Sequence, residues 1–153
     1  MVRLADLPAT KREGMERYPT PNLETQPWVS GLPLNRRTVA LISTAGLIRR
    51  GDRPVAPRDT RYRSFGQYEH ANDILMSHVS VNFDRTGFQQ DLNVILPRER
   101  LQELADAGEI GSVANEHYAF MGATEAHLLE RSSRKLAQRL HDEGVDTALL
   151  LPV

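Results

Sequence analysis

RTVALIST, residues 37–44, is a short β-branched and apolar run closed by Ala45 and Gly46. It has none of the polar–apolar alternation of a half-exposed strand. The composition therefore predicts a strand covered on both faces, as in a parallel sheet. Outward from it, residues 74–83 (ILMSHVSVNF) predict a second strand, 93–96 a third short one and 109–114 (EIGSVA) another. A helix opens near Pro97, carries an apolar stripe of Leu101, Leu104 and Ala105, and stops at Gly108. The clearest helix covers about 124–143. Leu128 and Leu129 begin its apolar face, Ser132 and Ser133 interrupt it, and Leu136, Ala137 and Leu140 resume it. Gly144 ends that helix, and the closing residues GVDTALLLPV (144–153) read as a strand. Helices alternating with buried strands predict an α/β domain with a mostly parallel sheet, flanking helices, and a last strand at the C-terminus lacking its crossover helix.

Residues 1–35 read differently. Pro8, Pro19, Pro21, Pro27 and Pro33 each remove a backbone donor and bias the preceding residue away from helix. They predict an extended N-terminal arm, pinned by Trp28 and Leu32 to an α/β domain over 36–153.

The composition, 40% hydrophobic and 25% charged over 153 residues, is that of one globular domain. A formal net charge of −1 gives no electrostatic reason to expect a nucleic-acid partner or a membrane surface. No apolar run approaches the ~20 residues of a membrane span, and the N-terminus has no hydrophobic signal core. A cytoplasmic protein is the default expectation. Cysteine is absent, which removes disulfides and thiolate chemistry from these residues.

The densest polar segment near a strand end is SHVSVNFDRTGFQQDLN (77–93). Its His78, Asp84, Asp91 and Asn93 suit acid–base work and positioning; a polar loop with turn-capping side chains is the plain alternative. His117, in NEHYAFMG, is a second catalytic candidate, or a hydrogen-bonded packing residue. The loop LIRRGDRPVAPRDTRYR (47–63) holds six arginines against Asp52 and Asp59. Arg50 and Arg53 are its candidates for gripping a small anion. No histidine pair has metal-ligand spacing, so no metal site is expected. Neither a GxGxxG nor a P-loop follows the first strand, and Ser43 lacks a GxSxG context.

VALISTAGLIRRGDRP, SHVSVNFDRTGFQQDLNVILPRERLQELADAGEIGSVANEHYAFMGAT and GVDTALLLPV, in this order over about residues 38–153, resemble the glycine/sarcosine/betaine and D-proline reductase selenoprotein B family. The middle segment is the specific one: a His, an Asp, then DLNxxxPxxRLxEL, GxIG and HYxFMG. The resemblance implies an oxidoreductase that cleaves a small amino-acid-like substrate with a selenolate or thiolate, a polarisable anion accessible near neutral pH. It implies a partner reductase subunit whose pyruvoyl group holds the substrate amine as a Schiff base, and a thiol reductant. It also implies that LLxPV leads into selenocysteine or cysteine, two residues and a further cysteine. A selenocysteine is accordingly expected just after Val153, with residues 1–153 the N-terminal part of a longer selenoprotein. In that setting His78 is an acid–base group or selenolate partner. Asp84 and Asp91 orient it or bind the substrate amine, and Asn93 is a hydrogen-bonding positioner. The competing expectation is a non-catalytic α/β module that holds a small anion on its arginine-rich loop.

Overall fold

β1 (Thr38–Ser43) is the strand around which the sheet is built, and it is buried on both sides as its composition requires. The computed structural model describes residues 3–17, 24, 29–80 and 84–153. Further along the chain come β2 (Leu47–Arg49), β3 (Arg63–Gly66), β4 (Ile74–Met76), β5 (Ser112–Val113), β6 (Glu116–Ala119) and β7 (Thr147–Leu151). β5 and β6 are two halves of one interrupted strand, each pairing in parallel with β1 at opposite ends. β7 pairs in parallel along the other side, from Val39 opposite Thr147 to Ser43 opposite Leu151. β3 adds antiparallel to β6, while β2 and β4 form a separate antiparallel pair. The main sheet is thus mostly parallel, as expected.

Alternation along β1 divides the core in two. Val39 and Leu41 pack with Phe65, Ile95, Leu96 and Leu101 on one face; Ala40 packs with Tyr118, Phe120, Leu136 and Leu140 on the other. After the exposed α1 (Ala9–Glu16), the helices divide between these faces. The short α2 (Thr86–Gln90) and α3 (Arg98–Asp106) cover the first core, and α4 (Ala126–Asp142) covers the second. Gly108 and Gly144 end α3 and α4 at φ 75° and 72°, values that glycine adopts without a Cβ penalty.

Four local expectations are corrected. The strand expected over 74–83 stops at Met76: the Ser77 N–H still donates to the Gly46 carbonyl as a last rung, and the chain then turns where His78 Nδ1 accepts the Ser80 N–H. The part of that expectation over 81–83 lies outside the described residues. Residues 92–94 form a 3₁₀ turn instead of a strand, since the Asp91 carboxylate accepts from the Asn93 N–H at 2.8 Å. Only Ser112 and Val113 of the EIGSVA run are extended. Residues 1–35 are not wholly extended, as α1 lies within them. Leu32 remains 49% exposed, which is a weak anchor, and Trp28 lies outside the described residues. β3 is a strand that the sequence reading did not anticipate. No helix among the described residues is long and apolar enough to cross a membrane.

Candidate functional site

The carboxyl ends of β1, β6 and β7 meet at Thr44. Its N–H donates to the Leu151 carbonyl at 3.0 Å, and its carbonyl accepts the Gly122 N–H at 2.9 Å. Its hydroxyl accepts the Val153 N–H at 2.8 Å and donates toward the Val153 carbonyl at 3.4 Å. Gly122 has no space for a side chain: a Cβ there would stand 2.8 Å from the Thr44 carbonyl oxygen. One hydroxyl thus fixes the end of β7 against the end of β1. In a largely parallel sheet, this is the edge beyond which ligands bind.

His78 is seated on the same exit turn. Gly46 takes φ 62°, and a Cβ there would approach the His78 Cα to 3.3 Å. The His78 imidazole is buried, and burial lowers its pKa below the ordinary value despite the Ser80 hydrogen bond. Its Nδ1 accepts the Ser80 N–H at 3.1 Å, so the neutral ring carries its proton on Nε2. Arg85 clasps the same segment by donating to the His78 carbonyl at 3.1 Å and to the Ser80 carbonyl.

Asp84 and Val153 line one pocket of about 250 Å³, together with Phe88, Val94, Ile95 and Pro152. Asp84 accepts the Thr86 N–H at 2.8 Å, which holds its carboxyl below the usual range and keeps it ionised.

Asp91 and Asn93 lie beyond Phe88 in a neighbouring cleft of about 400 Å³, and Phe88 lines both spaces. The Asn93 amide donates to Asp91 at 2.9 Å and to Glu99 at 3.0 Å, while its oxygen accepts the Glu99 N–H at 3.2 Å. It therefore holds two carboxylates side by side on one wall. Hydrogen bonds from Asn93 keep the Asp91 carboxyl below its usual range. Arg50 lines the same cleft and donates to the Asn72 carbonyl at 2.7 Å. Arg98 also lines it, buried, with its guanidinium donating to the Gly66 and Glu69 carbonyls. The cleft thus presents both charge signs over an apolar floor of Leu47, Ile74 and Leu96.

His117 and Arg53 stand apart from these groups. His117 is fully buried in β6. Its Nδ1 accepts the Leu41 N–H at 3.1 Å, and its Nε2 faces Gln67 Oε1 at 2.5 Å. It fills the gap in the ladder between β5 and β6, where Leu41 meets no strand carbonyl. Burial, with the nearby Arg98 charge, pushes its pKa down to about 4. Arg53 is exposed on the loop after β2. Most of that loop's arginines are occupied internally: Arg49 pairs with Glu69, Arg58 with Glu125, and Arg61 and Arg63 with the buried Asp59.

Sequence reasoning missed Thr44, Phe88, Arg98 and Glu99. Thr44 and Phe88 had weak signals, a hydroxyl at a strand exit and an aromatic inside the polar segment. No group of acidic or histidine side chains suited to a metal ion occurs among the described residues.

Comparison with known proteins bears on this arrangement. The family model for glycine/sarcosine/betaine reductase selenoprotein B matches residues 13–152. The D-proline reductase subunit gamma of Acetoanaerobium sticklandii is 29% identical over 120 residues, covering 76% of this chain and 49% of that protein. The glycine reductase complex component B subunit gamma of Carboxydothermus hydrogenoformans is 26% identical over 123 residues, 76% of this chain and 28% of its own length. The betaine reductase complex component B subunit beta of Peptoclostridium acidaminophilum is 26% identical over 124 residues, with the same two shares. The chain therefore spans about half the length of the first of these relatives and little more than a quarter of the other two. No solved structure matches it. With a family model matching nearly its whole length, this chain belongs to the glycine/sarcosine/betaine reductase selenoprotein B family.

Proposed function

We propose that the chain forms the carboxyl-edge half of a selenoprotein B-type reductase site, for reductive cleavage of a small amino-acid-like substrate. The observation that carries this reading is the Thr44 hydroxyl, which holds Val153 at the sheet edge beside the pocket that Asp84 lines. A selenolate or thiolate directly after Val153, as in the family motif, would supply a polarisable nucleophile for the substrate carbon.

The chain's own residues have separable tasks. Thr44 fixes the end of β7 to the sheet, so that position is set by the β1–β7 register and not by a loose tail. His78, neutral with its proton on Nε2, serves as a hydrogen-bond donor to the selenolate rather than as an acid, since giving up that proton would leave an imidazolate. Asp84, ionised beside Val153, pairs with a substrate ammonium. In the neighbouring cleft Arg50 is placed for a carboxylate, with Asn93 holding Asp91 in position on the facing wall. A pyruvoyl group would belong to a partner subunit, and none of these tasks depends on it. A thiol reductant would restore the nucleophile after each turnover.

The codon after Val153 tests the reading directly. The expected result is UGA with the same frame continuing, two residues and then a cysteine. UAA or UAG, or UGA with neither a cysteine nor an open frame, would refute it.

A further inference from the structure

We infer that the groove between residues 60–62 and α4 is a docking surface for an acidic segment of a partner protein. It lies on the α4 side of the sheet, away from the cleft described above, and measures about 490 Å³. Arg61, Arg131 and Lys135 give it its charge, and among the described residues no carboxylate lines it. Tyr62 and Leu128, both half-buried, give it an apolar floor.

The fold itself makes no use of two of these cations. Arg61 is held by Asp59 at 2.9 Å. On α4, Arg134 pairs with Glu130, and Arg139 pairs with Glu116 and Glu143. Arg131 and Lys135 have no carboxylate within ion-pair distance among the described residues. They stand four residues apart on one helix face, where like charges repel and destabilise the helix. An incoming carboxylate relieves that repulsion, so the helix gains from an acidic occupant.

The shape and donors of the groove decide between occupants. A small phosphate site draws on converging backbone N–H groups at a helix start or nest. Here Arg131, Ser132 and Lys135 lie inside α4, where backbone donors are already committed to the helix. A membrane surface calls for protruding apolar side chains, whereas this floor is concave. Spaced cations over an apolar floor match a peptide with carboxylates flanking a hydrophobic side chain. The surface therefore fits an acidic, apolar-bearing strand or loop on another subunit.

Fluorescence anisotropy of the whole chain tests this, using a short labelled peptide with Glu and Asp around a Leu-Phe pair. The expected result is saturable, salt-sensitive binding that weakens at least about tenfold in Arg131→Glu/Lys135→Glu. Arg134→Glu, on the same helix but outside the groove, should bind as the parent does, and circular dichroism establishes that both variants fold. Failure to saturate, an equal loss in Arg134→Glu, or tighter binding of inorganic phosphate or phosphatidylglycerol vesicles than of the peptide would overturn the inference. So would self-association of the chain that the double variant abolishes, since the occupant would then be a second copy. None of these outcomes depends on the reductase reading, which the codon after Val153 decides separately.

Discussion

Acidification should destabilise this protein through His117, and one substitution should remove most of the effect. Nδ1 accepts the Leu41 N–H at 3.1 Å, so a proton added there would set two N–H groups against each other inside the core. The group's pKa is accordingly pushed from 6.5 to about 4, chiefly by burial and then by Arg98. Since the native state takes up its proton at lower pH than the unfolded chain, stability is complete above about pH 6.5. It is lost as pH falls from there through about 4. At ~1.4 kcal/mol per pH unit that loss is roughly 3 kcal/mol, a large fraction of a domain's net stability. His78, also lowered by burial, acts in the same direction. In His117→Asn the side-chain oxygen can still accept from Leu41, but nothing titrates. The variant should be about 1–3 kcal/mol less stable at pH 7.5, from the lost Gln67 contact. Urea unfolding midpoints measured between pH 7.5 and 4.5 would then fall much less steeply for the variant than for the parent. Identical pH profiles, or an NMR titration placing His117 near 6.5, would refute the reasoning.

Gly122→Ala drives a Cβ into the Thr44 carbonyl at 2.8 Å and should cost about 1–3 kcal/mol by thermal unfolding; an unchanged Tm would count against the crowding. Thr44→Val removes the hydroxyl that binds Val153 and should speed hydrogen exchange at the Val153 amide, while Thr44→Ser restores protection. Asp59→Asn leaves Arg61 and Arg63 without their buried carboxylate and should destabilise by about 2 kcal/mol, read from urea midpoints. Because Arg61 and Arg63 hold that carboxyl far below its usual range, the stabilisation is present above about pH 4 and disappears only in strong acid. Leu150, 67% exposed on the β7 edge, invites association, so Leu150→Lys should reduce aggregation on light scattering without lowering Tm.

The parts of the fold that were legible are those whose signals are local. β1 shows as a β-branched run, and α3 and α4 as apolar stripes closed by Gly108 and Gly144. β3 was not legible. Arg63–Gly66 starts at the end of the arginine-rich loop and carries one apolar residue, made into a strand by pairing with β6 some fifty residues away and by burial of Phe65. The 3₁₀ turn at Leu92–Val94 was hidden by its apolar residues, because a single carboxylate at Asp91 outweighs their strand propensity. At the site, a polar segment was visible as a cluster. Its division into two spaces by Phe88 was not, since a wall is a property of packing. The loop arginines read as free cations because Glu69 and Glu125, which hold Arg49 and Arg58, lie outside the segment. Thr44 gave little signal, as its partner is 109 residues away.

β6 places neighbouring residues in two different environments. His117 reaches through Gln67 toward Arg98 at the cleft, and Tyr118 beside it packs against Tyr62 under α4. The sheet therefore acts as a partition with a separate chamber on each side. The cleft and the α4 groove share no lining residue, so an occupant of one does not sterically exclude an occupant of the other.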